Sequence, residues 1–346
     1  MKLVASVMDL CERGIIPDPV IRWGIRQIIR RGLNAEQIEN VAQHNARFRQ
    51  FLRSLDDQPL CVNEVQKENW QAKQLPVDFF QKLLGRHLKF SACFWPVGVH
   101  DLDSSEAEAM ALICQRAGLQ DGMTVLDIGS GWGSLALWIA EHYPNCKVVA
   151  LSALQLNCDY IEAEGRKYQF ENLQTVCGGI DSYHPEGLYD RVFAIEAFMH
   201  TVNYRGILNR ISNWLTDDGK LFVELFCHRE RAYYLGEDSP RNWMGRYFIT
   251  AGIMPSDDML LYFQEDLVLE EHWSLNGLHY SQTADCWLEN LDRRRNEVMP
   301  IMREKYKKEA DRWFHKWRLF CITLSELFAI REGNEWWVSQ YLMKKR

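Results

Sequence analysis

Thr124-Val-Leu-Asp-Ile-Gly-Ser-Gly-Trp-Gly-Ser134 decides how this chain is read. An apolar run, Val125 to Ile128, stops at three alternate glycines, Gly129, Gly131 and Gly133. A helical pattern, Ser134-Leu-Ala-Leu-Trp-Ile-Ala-Glu-His-Tyr143, starts directly after them. The spacing predicts a buried strand, a tight turn and a helix start. Glycines at such a turn let the backbone take positive φ and come close to a ligand with no Cβ in the way. The helix that follows presents unpaired N–H groups and the positive end of its dipole.

The alternation continues outward from this unit. Strands are expected at 123–128, 147–151, 173–177, 190–195 and 220–226, and helices at 133–143, 154–169 and 204–215. Strands alternating with helices imply an α/β fold with a parallel, doubly wound sheet, which binds ligands outside the carboxyl ends of its strands. Before the first strand, Ser105-Glu-Ala-Glu108 reads as a capping box opening a helix through Cys114 that Gly118 closes. Residues 1–85 read as helical. Leu3, Val4, Val7, Met8, Leu10 and Cys11 recur at helical spacing, and Gly14 to Pro19 breaks the pattern. A basic amphipathic helix at Ile21 to Ile29 carries Arg22, Arg26, Arg30 and Arg31 nearby, read as a solvated face. A polar helix at 35–55 and a short one at 76–84 follow. The region 227–346 mixes Trp-rich helices with a closing strand and helix.

Composition narrows the classes. The 346 residues are 47% hydrophobic and 25% charged, ordinary values for a globular protein of one large domain or a core with an added lobe. A net charge of −7 argues against an electrostatic nucleic-acid binder. The ten cysteines show no C-x-x-C pair and no metal-ligand spacing. With no signal peptide recognised either, they read as reduced thiols of a cytoplasmic protein, and no metal is expected. No apolar run approaches the roughly 20 residues of a membrane span. Thirteen Trp and sixteen Phe could line a substrate pocket, though core packing accounts for most such residues.

The glycine spacing separates two cofactor families. Dinucleotide sites use G-x-G-x-x-G; here it is G-x-G-x-G with the bulky Trp132 inside the turn and Asp127 two residues before the first glycine. This resembles motif I of the S-adenosylmethionine methyltransferases, D/E-x-G-x-G. That cofactor carries an ammonium, a sulfonium and a carboxylate, so a neighbouring carboxylate such as Asp127 suits it. An ordinary βα turn is the plainer alternative.

Longer stretches carry a more specific resemblance. They include Gln115-Arg-Ala-Gly118, Val125 to Ser134, Ile195-Glu-Ala-Phe-Met-His200, Asn203-Tyr204 and Trp214-Leu-Thr-Asp-Asp-Gly219. Further along come Phe226-Cys-His228, Met254-Pro-Ser256, Leu261-Tyr-Phe-Gln264, His272-Trp-Ser-Leu-Asn-Gly277 and Glu335-Trp336. Over almost its whole length the chain resembles the plant coclaurine N-methyltransferase family, part of the wider cyclopropane fatty acid synthase group. The resemblance implies a Rossmann-like class I methyltransferase sheet and S-adenosyl-L-methionine as cofactor. It also implies a helical, cofactor-covering N-terminal lobe at 1–103 and a catalytic domain at 104–346, with a substrate-binding insertion at about 229–320. The cofactor residues it implies are Ser91, Gly129, Gly131, Ser152, Gln155, Gly179, Ile180 and Ile195. At Gly179-Ile180 the family has Asp-Ile, and Asp181 stands two positions beyond the lost Asp.

Glu196 and His200 lie four apart after the fourth strand and would share one face if helical. The resemblance implies that they bind a substrate amine and help remove its proton. An ammonium has no lone pair for attack; a carboxylate attracts it, and an imidazole can accept its proton. A pair that merely caps a helix is the alternative. Most relatives have a second Glu before the His, where this chain has Met199. The cyclopropane synthases hold a bicarbonate base through a Cys, a Glu, a His and a Tyr. These align with Ala92, Met199, Leu225 and Tyr280, so only the Tyr is kept. Glu224, beside the lost His, could add a carboxylate to the pocket. Trp95, Phe198, Tyr247, Phe248 and Tyr262 are candidates for an aromatic wall or a cation–π contact, each with core packing as its alternative. His228, His272 and His279 read as structural.

The expectation is an N-methyltransferase acting on a small-molecule amine, without nucleic acid or membrane insertion; a homodimer is compatible with it. The competing readings are a lipid-modifying enzyme acting on unsaturated acyl chains and a non-catalytic S-adenosylmethionine-binding protein.

Overall fold

The computed structural model describes residues 2–35, 40–60, 75–235, 243–249 and 251–346. The strands are β1 Thr124–Ile128, β2 Lys147–Ser152, β3 Leu173–Cys177, β4 Tyr189–Ile195, β5 Leu215–His228, β6 Tyr233–Leu235, β7 Gly252–Met254, β8 Leu267–Leu275 and β9 Trp336–Lys345. The first helices are α1 Lys2–Glu12, α2 Asp18–Ala35, α3 Val41–Asp56, α4 Val77–Leu83, α5 Leu102–Arg116 and α6 Ser134–His142. They are followed by α7 Gln155–Tyr168, α8 Tyr204–Ser212, α9 Trp243–Tyr247, α10 Leu278–Arg293, α11 Arg295–Tyr306 and α12 Ala310–Phe328.

A seven-stranded sheet runs in the order β3-β2-β1-β4-β5-β9-β8. Strands β1 to β5 are parallel, and the buried run Val125–Ile128 suits a strand covered on both faces. The sheet is nonetheless mixed, because β9 enters antiparallel between β5 and β8. Periodicity marks a strand but not its direction, so a wholly parallel sheet was the natural expectation. Helix α8 ends at Ser212, and β5 already pairs with β4 at Leu215↔Tyr189. The predicted helix through 215 therefore ends early. Gly219 makes the bend that follows: a Cβ there would lie 2.7 Å from the Tyr189 carbonyl oxygen.

Helix α12 organises the helical part. Phe314, Trp317, Phe320, Cys321, Leu324 and Phe328 are buried along it, and it packs against α1, α2, α10 and α11. One core joins these helices to α4, to Trp132 of the glycine turn and to Phe226 near the end of β5. The helical body thereby sits over the carboxyl ends of β1 and β5, where the site lies.

Two local readings change. Asp101, not Ser105, caps α5: its Oδ1 accepts from the Ser104 N–H at 2.9 Å, and Ser105 is buried within the helix with its hydroxyl on the Leu102 carbonyl. The arginine face of α2 is also not simply solvated. Arg22 pairs with Asp285 (2.6 Å) and Glu326 (3.0 Å), and Arg26 pairs with Glu326 (2.6 Å). The Glu326 side chain is 7% exposed, and a carboxylate so placed needs charged partners. Arg30 and Arg31 remain exposed. Part of the predicted 35–55 helix, residues 36–39, lies outside the described residues; α3 begins at Val41 with Asn40 as its cap. No described helix is long and apolar enough to cross a membrane, and among the described residues no group of acidic, His and Cys side chains is placed to hold a metal ion.

Candidate active site

The glycine turn folds as its spacing requires. Gly129, Gly131 and Gly133 all take positive φ, at 69°, 54° and 80°. The N–H groups of Gly129 and Ser130 donate to the Leu151 carbonyl at 2.9 and 3.1 Å, tying the turn to β2. Each glycine faces something different. A Cβ on Gly129 would lie 2.8 Å from Ala197 Cβ, and one on Gly133 would lie 2.6 Å from Ile161 Cγ1. A Cβ on Gly131 would meet nothing within 4 Å, so this residue opens onto free space at the strand ends. Asp127 is 2% exposed. Burial pushes its carboxyl up to about 7, partly offset by the Ser130 side chain and the Ala136 N–H, so it serves the turn from within.

The other cofactor candidates surround the same strand ends. Ser152 is buried at the end of β2 and its carbonyl accepts the Gly178 N–H at 2.9 Å. Gln155 opens α7, exposed, with its amide donating to Asp159 at 2.8 Å. Ile180 is buried just beyond β3. The Asp181 carboxylate occupies the space that a Cβ on Gly179 would need. Ile195 ends β4 opposite Glu224 of β5.

Glu196 follows at once, with φ 51°, and its N–H donates to the Glu224 carbonyl at 2.8 Å. A left-handed glutamate ends the strand in a sharp turn, and Phe198–His200 then forms a 3-10 turn. Glu196 and His200 therefore do not share a regular α-helical face; the turn, not helical periodicity, sets where each points. The Glu196 carboxylate is gripped from two sides. Oε1 accepts the Ala92 N–H at 3.0 Å, and Oε2 accepts the Tyr280 hydroxyl at 3.0 Å. Burial pushes its carboxyl up to about 7; Lys89, the Ala92 N–H and Tyr280 oppose the rise, and Glu224 adds to it. His200 is half-buried, with its N–H on the Ala197 carbonyl at 3.4 Å. Met199 is 9% exposed and its backbone packs against Gly252 of β7.

Behind Glu196 lies a buried ionic cluster. Lys89 and Glu224 are each 2% exposed and pair at 3.3 Å. The Lys89 ammonium also donates to Ser91 Oγ and to the Ala92 carbonyl, both at 2.6 Å. Burial alone would lower the Lys89 pKa, but Glu224 first, then Cys93 and Glu196, hold it above the ordinary lysine value. On the far side, Gln340 of β9 donates to Glu224 Oε2 at 2.5 Å and accepts from Arg116 at 2.6 Å. Lys89 and Gln340 escaped the sequence reading. The signal for Lys89 was a lone cation inside Leu88-Lys-Phe90.

Several candidates lie elsewhere. Trp95 is buried with its indole N–H on Thr283 at 3.0 Å, and Phe198 is 1% exposed against Tyr204; both are core. Tyr262 is 47% exposed and packs edge-on to Phe48 of α3. Tyr247 packs on Trp313 with the Lys316 ammonium 3.9 Å above its ring. Phe248 stacks on Phe320, which lies beside Phe90. The remaining histidines have structural partners. His228 Nδ1 accepts two backbone N–H groups, His279 Nδ1 accepts the Trp95 N–H, and His272 stacks on Tyr341.

Sheet order, glycine turn and a polar cluster at the strand ends define a class I S-adenosylmethionine-dependent methyltransferase, and the comparisons agree. The family described as mycolic acid cyclopropane synthetase matches residues 64–330. The (S)-coclaurine N-methyltransferase of Papaver somniferum is 33% identical over 350 residues, covering 100% of this chain and 99% of that one. The pavine N-methyltransferase of Thalictrum flavum subsp. glaucum is 32% identical, covering 99% and 97%. A solved coclaurine N-methyltransferase bound to N-methylheliamine and S-adenosylhomocysteine superposes with a TM-score of 0.94 at 32% identity, covering 99% of this chain and 100% of that one. A cyclopropane synthase of Mycobacterium tuberculosis shares the fold, with a TM-score of 0.67 at 21% identity and 80% of this chain covered. The chain belongs to the coclaurine N-methyltransferase family within the cyclopropane synthetase group.

The glycine geometry gives a paired prediction. Gly131→Ala is expected to leave the thermal midpoint within a few degrees, since only about 1 kcal/mol of backbone preference is lost, while weakening S-adenosylhomocysteine binding at least about tenfold in calorimetry. Gly129→Ala adds the clash with Ala197 and is expected to lower the midpoint as well. Equal affinities in Gly131→Ala and the native chain would show that the open face of the turn is not where the cofactor lies.

Proposed function

We propose that this protein transfers a methyl group from S-adenosylmethionine to the amine of a small molecule, with Glu196 holding the ammonium and His200 accepting its proton. The observation that carries the reading is the Glu196 carboxylate itself: half-buried, fixed by Ala92 and Tyr280, and set directly beyond the strand that flanks the glycine turn. A carboxyl near neutrality becomes fully ionised when a cation arrives beside it, so the empty site tolerates the acid and the loaded site gains an ion pair. The cofactor supplies an electrophilic methyl on a sulfonium. Gly129, Gly131, Ser91, Ser152, Gln155, Gly179, Ile180 and Ile195 would hold it, and Asp181 lies beside Gly179, where the family has its adenine-side Asp. Release of the ammonium proton to His200 frees the lone pair, and alignment of the amine supplies much of the remaining acceleration.

The relatives named for coclaurine and pavine point to a heterocyclic amine. Lipid cyclopropanation lacks support: Ala92, Met199 and Leu225 offer no ligand for a bicarbonate base, and the Tyr280 hydroxyl is engaged by Glu196. Residues 1–103 together with the 229–320 insertion would form the substrate side. The test is S-adenosylhomocysteine formation across a panel of secondary and tertiary amines, thiols and oleoyl-phospholipid vesicles. Turnover with amines alone is expected, falling roughly tenfold or more in His200→Ala. Turnover on vesicles, or full activity in that variant, would overturn the reading.

A further inference from the structure

The cluster behind Glu196 does more than satisfy its own charges. Lys89 reaches three acceptors: the Ser91 hydroxyl, the Ala92 carbonyl and the Glu224 carboxylate. Two of them belong to the short segment whose next N–H, that of Ala92, holds Glu196 Oε1. The third, Glu224, is tied back to Glu196 through the main chain, because its carbonyl accepts the Glu196 N–H. The segment is pinned from the other side too. The fully buried Glu106 accepts the N–H groups of Gly85 (2.9 Å), His87 (2.8 Å) and Lys89 (3.3 Å). Glu224 in turn is fixed by Gln340, which lies directly across from it on β9.

We infer that Lys89 and Glu224 are positioning residues for Glu196: Lys89 fixes the peptide that grips the carboxylate, and Glu224 shares the ammonium's charge so that Glu196 is left free to meet a cationic substrate. The inference rests on Glu196 as the amine-binding group. Without Glu224, the Lys89 ammonium would turn to Glu196 as its counter-ion. Without Lys89, the cluster loses the cation that favours the ionised Glu196 carboxylate before substrate arrives. The titratable and charged groups that act on Glu196 are Lys89 on its covering segment, Glu224 on β5 and Tyr280 on α10; Cys93 acts on Lys89 and Tyr280, Arg116 lies one hydrogen bond beyond Gln340, and His200 follows on the same turn. Cys93 and Tyr280 both have their ionisation pushed up by burial and stay neutral at ordinary pH.

The experiment is the pH profile of kcat/KM for an amine substrate, read at its acid limb, in the full-length native protein, Glu224→Gln, Lys89→Met/Glu224→Gln and Glu196→Gln. Removing both charges together avoids burying one alone. Glu224→Gln deletes a like charge and keeps the cation, so the limb is expected to move to lower pH by roughly one unit. The double variant also deletes Lys89, the stronger neighbour, so its limb is expected to move to higher pH by a similar amount. A role confined to packing would not drive the two limbs in opposite directions. A limb that stays put in both variants, or moves the same way in both, overturns the inference. The Glu196→Gln profile separates this from the parent reading: a limb that persists unchanged there belongs to another group and overturns the Glu196 assignment together with the inference. A limb that vanishes there but is unmoved in the other two variants overturns the Lys89–Glu224 role alone.

Discussion

Glu196→Gln is expected to lower kcat/KM for an amine roughly a hundredfold or more while leaving S-adenosylhomocysteine affinity within about twofold. The amide oxygen can still accept the Ala92 N–H, and the amide NH2 can donate to the Tyr280 hydroxyl in place of the bond that hydroxyl donated, so the turn should survive; what is lost is the negative charge that meets the ammonium. The same substitution is expected to stabilise the protein at pH 8. Burial raises the carboxyl from an ordinary 4.5 to about 7, so the native state holds a proton that the unfolded chain has already released. Stability therefore falls as pH rises between those values, and the whole loss is present above about 7. Glutamine cannot ionise. Its gain over the native residue is expected to be on the order of 1–3 kcal/mol at pH 8 and to shrink toward zero near pH 4.5. The neighbouring buried carboxyls Asp127 and Glu106 are shifted the same way but are common to both proteins and cancel. Thermal midpoints of both proteins at the two pH values give the comparison. A midpoint difference independent of pH would show that Glu196 is not held near neutrality in the fold, and unchanged turnover would remove it from the amine site.

What the sequence disclosed about this site follows a physical boundary. The glycine turn was legible because its causes are local: three positive-φ positions between a strand and a helix leave an alternate-glycine spacing, whatever the rest of the chain does. The parallel core was legible for the same reason, since buried strands read as apolar runs. The direction of β9 was not, because pairing with β5 and β8 is a long-range choice that leaves no period of its own. Glu196 stands out by its position after the fourth strand, but its left-handed backbone was hidden, as a non-glycine residue there is held by its surroundings rather than by preference. The cluster behind it was least visible. Lys89, Glu224 and Gln340 are separated by more than a hundred residues at each link and meet only because β5 and β9 pair and the 85–92 segment folds over them. Trp95 and Phe198 show the opposite difficulty: an aromatic residue beside a motif reads as wall or as core until its burial against Thr283 or Tyr204 is seen.

Lys89→Met alone is expected to be the most damaging single change in the cluster, lowering stability by about 3–5 kcal/mol and leaving little soluble protein. The methionine fills the space of the lysine stem, so packing is not the cause. Glu224, 2% exposed, would lose the ammonium that pairs with it directly; Arg116 stays a hydrogen bond further off, and the Gln340 amide at 2.5 Å is a neutral partner that cannot replace the lysine. Adding Glu224→Gln removes the stranded charge and is expected to restore most of the loss, so the double-mutant cycle should show strong coupling in thermal or urea midpoints. A Lys89→Met protein of native stability would mean that Glu224 is reached by water or takes up a proton at little cost. The cycle also bears on why the pair exists. A buried ion pair can be exchanged for neutral groups at little cost in stability, and sometimes with gain. If the double variant is as stable as the native chain while the acid limb set by Glu196 has moved, the pair adds nothing the fold requires, and its place is in holding the carboxylate ready for an ammonium.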